Sequence, residues 1–104
     1  MTLFTKIINR EIPSEIVYEQ DNIVVIKDIY PKAKTHLLII PKKEIPTIND
    51  LHDNDRELLA EMFFVAKKIA KDLGIDEGYK LQFNVGEKGG QEIMHIHLHL
   101  LSNL

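Results

Sequence analysis

The sequence contains no cysteine and no tryptophan among its 104 residues, only four prolines and five glycines, and little imbalance of charge: 13 basic residues stand against 16 acidic ones, a formal charge of −3. Each shortage excludes something. Without cysteine there is no disulfide framework, no thiolate metal site and no thiol nucleophile. Without a basic surplus there is no bulk nucleic-acid surface, which would need clustered Lys and Arg. No apolar run approaches the roughly 18 residues of a membrane helix. The opening Met1-Thr2-Leu3-Phe4-Thr5-Lys6 interrupts its apolar residues too early for a signal peptide. No repeat and no Pro/Gly/Ser linker divides the chain. The expectation is therefore one domain over residues 1–104, soluble and cytoplasmic, and long enough to bury a core without covalent staples.

What is present reads as alternating helical and extended stretches. Leu3, Phe4, Ile7, Ile8 and Ile12 recur at helical spacing, with Thr2 as N-cap and Pro13 as stop, which predicts a short amphipathic helix over 2–12. Residues 16–19 and 22–29 are β-rich and separated by Gln20-Asp21, the pattern of a hairpin. Tyr30-Pro31 marks a turn, and residues 36–40 form an apolar strand ended by Pro41 and followed by Lys42-Lys43. A long helix is predicted over 54–73, capped by Asn54 and Glu57 and stopped at Gly74. Its stripe of Leu58, Leu59, Met62, Phe63, Ala66, Ile69, Ala70 and Leu73 is assigned to the core. Residues 79–85 and 93–101 then alternate apolar and polar side chains on either side of a glycine-rich loop. The sum is an α+β domain.

One feature stands apart from this pattern. Of five histidines, three fall at His95, His97 and His99. On a strand they share one face, while Met94, Ile96, Leu98 and Leu100 fill the other. Three in register exceed what a solvated strand face collects by chance. A straight strand spreads them over about 13 Å, too far to wrap one zinc ion. A metal would therefore need a further ligand from elsewhere, such as His36 or Glu92. The row suits an extended anion better, such as the phosphate of a nucleotide. A neutral imidazole at cytosolic pH can attack phosphorus or donate hydrogen bonds to its oxygens. The middle residue, His97, is placed for attack. Gly86-Glu87-Lys88-Gly89-Gly90-Gln91 precedes the row, and glycine lets backbone N–H groups approach an anion. Asn84 lies within reach of the same face. His52 is read as a surface residue.

The run His95-Ile96-His97-Leu98-His99-Leu100-Leu101 resembles the signature of the histidine triad superfamily. The resemblance extends through Phe4-Thr5-Lys6-Ile7-Ile8, Glu11-Ile12-Pro13, Asp28-Ile29-Tyr30-Pro31, residues 35–43, Asn84-Val85-Gly86 and Gly89-Gly90-Gln91, and is closest to the Hint branch. It implies a five-stranded antiparallel sheet with one long helix and a short N-terminal helix, and a homodimer. It further implies hydrolysis of purine nucleoside phosphoramidates, and of related aminoacyl adenylates, to a nucleoside monophosphate, with no metal and no cofactor. His97 would be the nucleophile forming a nucleotidyl-histidine, His95 and His99 would hold the phosphate, and His36 would support their hydrogen bonds. Asp28 would bind the ribose, and Leu3, Phe4, Ile7, Ile26 and Ile29 would line the base pocket. Asn84, the backbone of Gly90, Gln91 and Glu92 would face the phosphate or leaving group. Two other readings stay open: hydrolysis of dinucleoside polyphosphates, and a non-catalytic nucleotide-binding module. The sequence departs from the family where Glu92 replaces the more usual Ser or Thr as proton donor. It also lacks the N-terminal cysteines with which some relatives bind zinc, and it ends at Leu104 without the longer tail that many carry.

Overall fold

Ile23-Val24-Val25-Ile26 and His36-Leu37-Leu38-Ile39-Ile40 are buried at every position rather than at alternate ones. An uninterrupted apolar strand requires cover on both faces of its sheet, and the computed structural model, which describes residues 1–104, supplies it. Strands β1 (Ile16–Glu19), β2 (Ile23–Lys27), β3 (Thr35–Pro41), β4 (Lys80–Gln82) and β5 (Leu98–Ser102) form one antiparallel sheet in the order β1-β2-β3-β5-β4. Helix α2 (Arg56–Asp72) covers one face through Met62, Val65, Ala66, Ile69 and Ala70, packed on Ile23, Val25, Leu37, Ile39, Leu98 and Leu100. The short helix α1 (Leu3–Ile8) lies on the other face, where Phe4 and Ile7 meet Val24, Ile26, Leu38 and Ile40. Side chains of β2 and β3 thus alternate between two cores.

Several boundaries differ from the sequence expectation. Helix α1 ends at Ile8 instead of 12, because Arg10 enters the left-handed region at φ 64° and the N–H groups of Arg10 and Glu11 fold back onto the carbonyls of Ile7 and Lys6. Thr2 does cap it, accepting the Thr5 N–H at 3.1 Å. Helix α2 starts at Arg56 without the Asn54–Glu57 box. Asp55 instead accepts the His52 N–H at 2.9 Å and pairs with Lys43 Nζ at 2.6 Å, which ties the helix start to the end of β3. Gly74 stops it at φ 72°. Phe63 is 41% exposed and Leu73 53% exposed, so both leave the predicted core stripe; Phe63 meets Phe83 edge-on at the surface.

The largest difference concerns the region before β5. The expected strand over 93–101 is extended and paired only from Leu98, and β4 only over Lys80–Gln82. Residues 93–97 bend into the molecule: the Ile96 N–H bonds the Ile45 carbonyl at 2.8 Å, and His95 N–H bonds the Ile93 carbonyl at 2.8 Å. Met94 is left 40% exposed, while Ile96 reaches the main core.

Candidate active site

The bend assigns the three histidines different surroundings. His95 is fully buried; its Nε2 bonds the Pro41 carbonyl at 2.7 Å and its Nδ1 meets Thr2 Oγ1 at 2.8 Å. His97 is 8% exposed, and its Nδ1 lies 2.8 Å from the His95 carbonyl. His99, half-buried on β5 opposite Leu38, meets His97 with ring centroids 5.0 Å apart. Its Nδ1 lies 2.9 Å from Nε2 of His36 on β3.

Backbone groups settle which nitrogens carry protons, because a carbonyl only accepts and an N–H only donates. The His95 carbonyl obliges His97 Nδ1 to carry the hydrogen, which leaves Nε2 as an unpaired lone pair. The Lys32 N–H donates to His36 Nδ1 at 3.1 Å, so a neutral His36 carries its hydrogen on Nε2 and donates it to His99 Nδ1. The hydrogen of His99 is then on Nε2, and that atom is buried with no partner. Beside the unpaired lone pair of His97 the fold therefore keeps a desolvated, unspent donor. Asp28 Oδ2 stands 3.4 Å from His36 Nε2, while its Oδ1 accepts the Tyr30 N–H at 2.8 Å.

Burial holds all four imidazoles in their neutral form. It pushes His95 and His97 below the ordinary histidine value, and His36 as well, against the opposing pull of the Asp28 carboxylate. His99 falls to about 4, through burial first and then repulsion from His97 and His36.

His97 and His99 open onto a cavity of about 600 Å³, within the ordinary size of a small-molecule site. Leu3, Phe4, Ile7, Ile26 and Ile29 all line it, with Ile12, Pro13 and Leu38 completing the apolar wall. Asp28, Asn84, Gly90 and Glu92 supply polar lining, together with Ser14, Lys27 and Lys32. Asp28, His36 and His99 also place three ligand-type atoms within 4.8 Å of one another. Two of these side chains already share the His36–His99 hydrogen bond.

All of residues 1–104 match the family described as "Scavenger mRNA decapping enzyme C-term binding". The chain is 52% identical over 101 residues to the purine nucleoside phosphoramidase of Escherichia coli K12, covering 96% of this chain and 85% of that one. A HIT family hydrolase from Legionella pneumophila superposes with a TM-score of 0.97 at 55% identity, covering 100% of this chain and 94% of that one. A histidine triad nucleotide-binding protein from Candida albicans superposes at 0.87 with 34% identity, covering 96% and 73%. The chain belongs to the histidine triad family.

Its triad is not a co-facial row. His95 does not reach the cavity, so the expectation that it holds phosphate gives way to a buried ring whose carbonyl orients His97. The glycine loop likewise is no cradle of free amides. The N–H groups of Gly89 and Gln91 both bond the Gly86 carbonyl, and that of Gly90 bonds the Glu87 carbonyl. The Gly90 carbonyl accepts Asn84 Nδ2 at 3.4 Å. Gln91 is turned away from the cavity: its Nε2 bonds the carbonyls of Pro46 at 2.6 Å and Ile93 at 3.0 Å, and its Oε1 accepts the Gly86 N–H at 2.9 Å. It clamps the loop in place of touching a ligand. Sequence reasoning missed the Lys32 N–H and the Pro41 carbonyl as parts of the triad's machinery; backbone groups carry no residue signature.

Proposed function

We propose that this histidine triad protein is a hydrolase of purine nucleoside 5′-phosphoramidates that works through a covalent nucleotidyl-His97. The observation that carries the reading is the pair of oppositely prepared nitrogens: an unpaired lone pair on His97 Nε2 and the buried, unpartnered Nε2–H of His99. In the first step His97 Nε2 attacks the α-phosphorus and the P–N bond breaks, the amine leaving with a proton taken from solvent or an adjacent acid. The imidazole becomes cationic as the bond forms. Its Nδ1–H then donates to the His95 carbonyl with charge assistance, worth about 1.5–3 kcal/mol. His99 Nε2–H donates to a non-bridging oxygen, a bond made in place of none and so strongest as charge develops. In the second step water attacks phosphorus, the bond to His97 breaks, and a nucleoside monophosphate is released.

The apolar wall of Leu3, Phe4, Ile7, Ile26 and Ile29 suits a purine ring, and Asp28 beside it suits ribose hydroxyls. Asn84, Gly90 and Glu92 lie on the leaving-group side in this reading. It includes a cytoplasmic location and a homodimer of one-domain chains, the dimer supported by the exposed Phe64 (68%) and Phe63 on α2 and by the open edge strand β4. No helix is long and apolar enough to cross a membrane. Sedimentation at micromolar concentration tests the dimer; a monomeric mass would refute it.

The activity is tested by turnover of an adenosine phosphoramidate in excess chelator, with rapid quench and mass spectrometry of the protein. Wild type should accumulate a nucleotidylated His97, and His97→Ala should bind adenosine monophosphate but lose turnover by several orders of magnitude. Persistent turnover in His97→Ala would exclude this role for His97.

A further inference from the structure

We infer that Thr2 is a positioning residue for the triad: its hydroxyl caps α1 and also locks the ring of His95, and through the His95 carbonyl it sets the angle of the His97 imidazole. The inference takes its activity readout from the phosphoramidase reading above, but its structural content stands apart from it.

The proton directions leave one solution. Pro41 offers a carbonyl 2.7 Å from His95 Nε2, so that nitrogen carries hydrogen. The ring is fully buried, and burial outweighs the pull of the Glu44 carboxylate and the Pro41 carbonyl to hold it neutral, so Nδ1 is a lone pair. Thr2 Oγ1, 2.8 Å away, must therefore donate. A hydroxyl has one proton and two lone pairs. Having spent its proton on His95, Thr2 Oγ1 accepts the Thr5 N–H at 3.1 Å. The Thr5 hydroxyl gives its own proton to Glu44 Oε1 at 2.7 Å, and the same carboxylate oxygen takes the Thr2 N–H at 2.9 Å. Glu44 thus pins both residues from the end of β3.

The chain runs Thr5 O–H to Glu44, Thr2 O–H to His95, His95 Nε2–H to Pro41, and His97 Nδ1–H to His95, and no member can reverse alone. A side chain that only caps would not do. Aspartate caps helices as well as threonine does, but an ionised carboxylate cannot donate to His95 Nδ1. Phe4 tightens the coupling, its ring edge-on to His95 at 5.7 Å and to His97 at 4.9 Å. Because Leu3, Phe4 and Ile7 also line the cavity, the seating of α1 sets a wall of the site and the nucleophile together. Neither Thr2 nor Glu44 lines the cavity, so their effect reaches the reaction through His95 and through the seating of α1, and the His95 tautomer separates the two routes.

The test combines imidazole ¹H–¹⁵N correlation spectra with steady-state kinetics on Thr2→Ser, Thr2→Val and Thr2→Asp. Wild type and Thr2→Ser should show His95 with hydrogen on Nε2 alone, with kcat within about twofold of each other. Thr2→Val strands a buried acceptor, and kcat should fall about tenfold with KM within threefold. Thr2→Asp should keep the α1 cap and the wild-type thermal midpoint within a few degrees, yet place hydrogen on His95 Nδ1 and lower kcat at least as far as Thr2→Val. The inference is overturned if Thr2→Asp keeps the wild-type tautomer and kcat, if Thr2→Ser is as impaired as Thr2→Val, or if KM alone moves. Should Thr2→Val not fold, the Ser and Asp variants decide. Wild-type protein that shows these tautomers without any turnover would count against the phosphoramidase reading, and the spectra of the variants would still decide the role of Thr2.

Discussion

Replacing His36 tests whether its hydrogen bond is what makes His99 a donor. His36 is 4% exposed and performs two separable tasks: Nδ1 accepts the Lys32 N–H at 3.1 Å, and Nε2 donates to His99 Nδ1 at 2.9 Å. Asparagine can reproduce the first task, since its side-chain oxygen sits near the position of Nδ1, but it is too short for the second. Glutamine can place an N–H donor where Nε2 was. In His36→Asn the His99 Nδ1 lone pair has no donor. Either it stays buried and unpaired, at about 1–3 kcal/mol, or the ring moves its hydrogen to Nδ1 and turns a lone pair toward the phosphate. Both outcomes remove a prepared donor from the transition state, so kcat/KM on an adenosine phosphoramidate should fall roughly 10- to 100-fold. His36→Gln should stay within about tenfold of wild type. Imidazole ¹⁵N shifts read the tautomer of His99 directly. Equal rates for the Asn and Gln variants, or an Asn variant within twofold of wild type with His99 still protonated on Nε2, would refute the tautomer relay.

Three further outcomes are expected. All four site histidines titrate below their ordinary value in the folded protein, His99 at about 4, so below about pH 6.5 the unfolded chain binds more protons. Stability should be complete above that value and lost as pH falls toward 4, with His99 alone contributing roughly 3 kcal/mol of the loss; a urea midpoint unchanged between pH 7 and pH 5 would contradict it. The acid limb of kcat/KM should lie below pH 6.5 for the same reason. Gln91→Leu removes three bonds to backbone from a residue 3% exposed, and chemical denaturation should register a loss of about 2–3 kcal/mol; a loss under 0.5 kcal/mol would show that the loop closes without its clamp.

Much of the frame was legible because it follows from apolar spacing. The β-rich run at 22–29 and the apolar run at 36–40 marked strands, and the 3.6-residue stripe through Met62, Ala66, Ile69 and Ala70 marked the helix above them; that both faces of those strands are covered came from the structure. Periodicity misled where it could not see the backbone turn. Residues 93–101 alternate throughout, yet only 98–102 are strand. The bend follows from His95, whose two partners lie 54 and 93 residues away in sequence. Phe63 obeys the helical stripe and is still exposed, set edge-on against Phe83 and outside the buried core. His97 and His99 do reach the cavity while His95 does not, so a single shared face was the wrong reason for their spacing.

That spacing has a different logic once the bend is included. Alternate positions at the entry of β5 let three equal side chains sit at three depths. His95 is sealed beneath α1, His97 stands at the cavity floor, and His99 is on the strand proper. Depth assigns the role, because each ring's free valence is whatever the backbone at that depth leaves unpaired. Pro41 and Thr2 consume both nitrogens of His95; the His95 carbonyl consumes one of His97; His36, held by the Lys32 N–H, consumes one of His99. What remains is one lone pair and one N–H, side by side and uncharged. Lysines could not replace them, since an ammonium at neutral pH offers no lone pair and its burial without a partner is costly. The reactive pair is thus made by neutral rings and main-chain groups, while the cavity wall around it carries both signs of charge, Lys27 and Lys32 with Asp28 and Glu92, in keeping with a chain whose net charge is only −3.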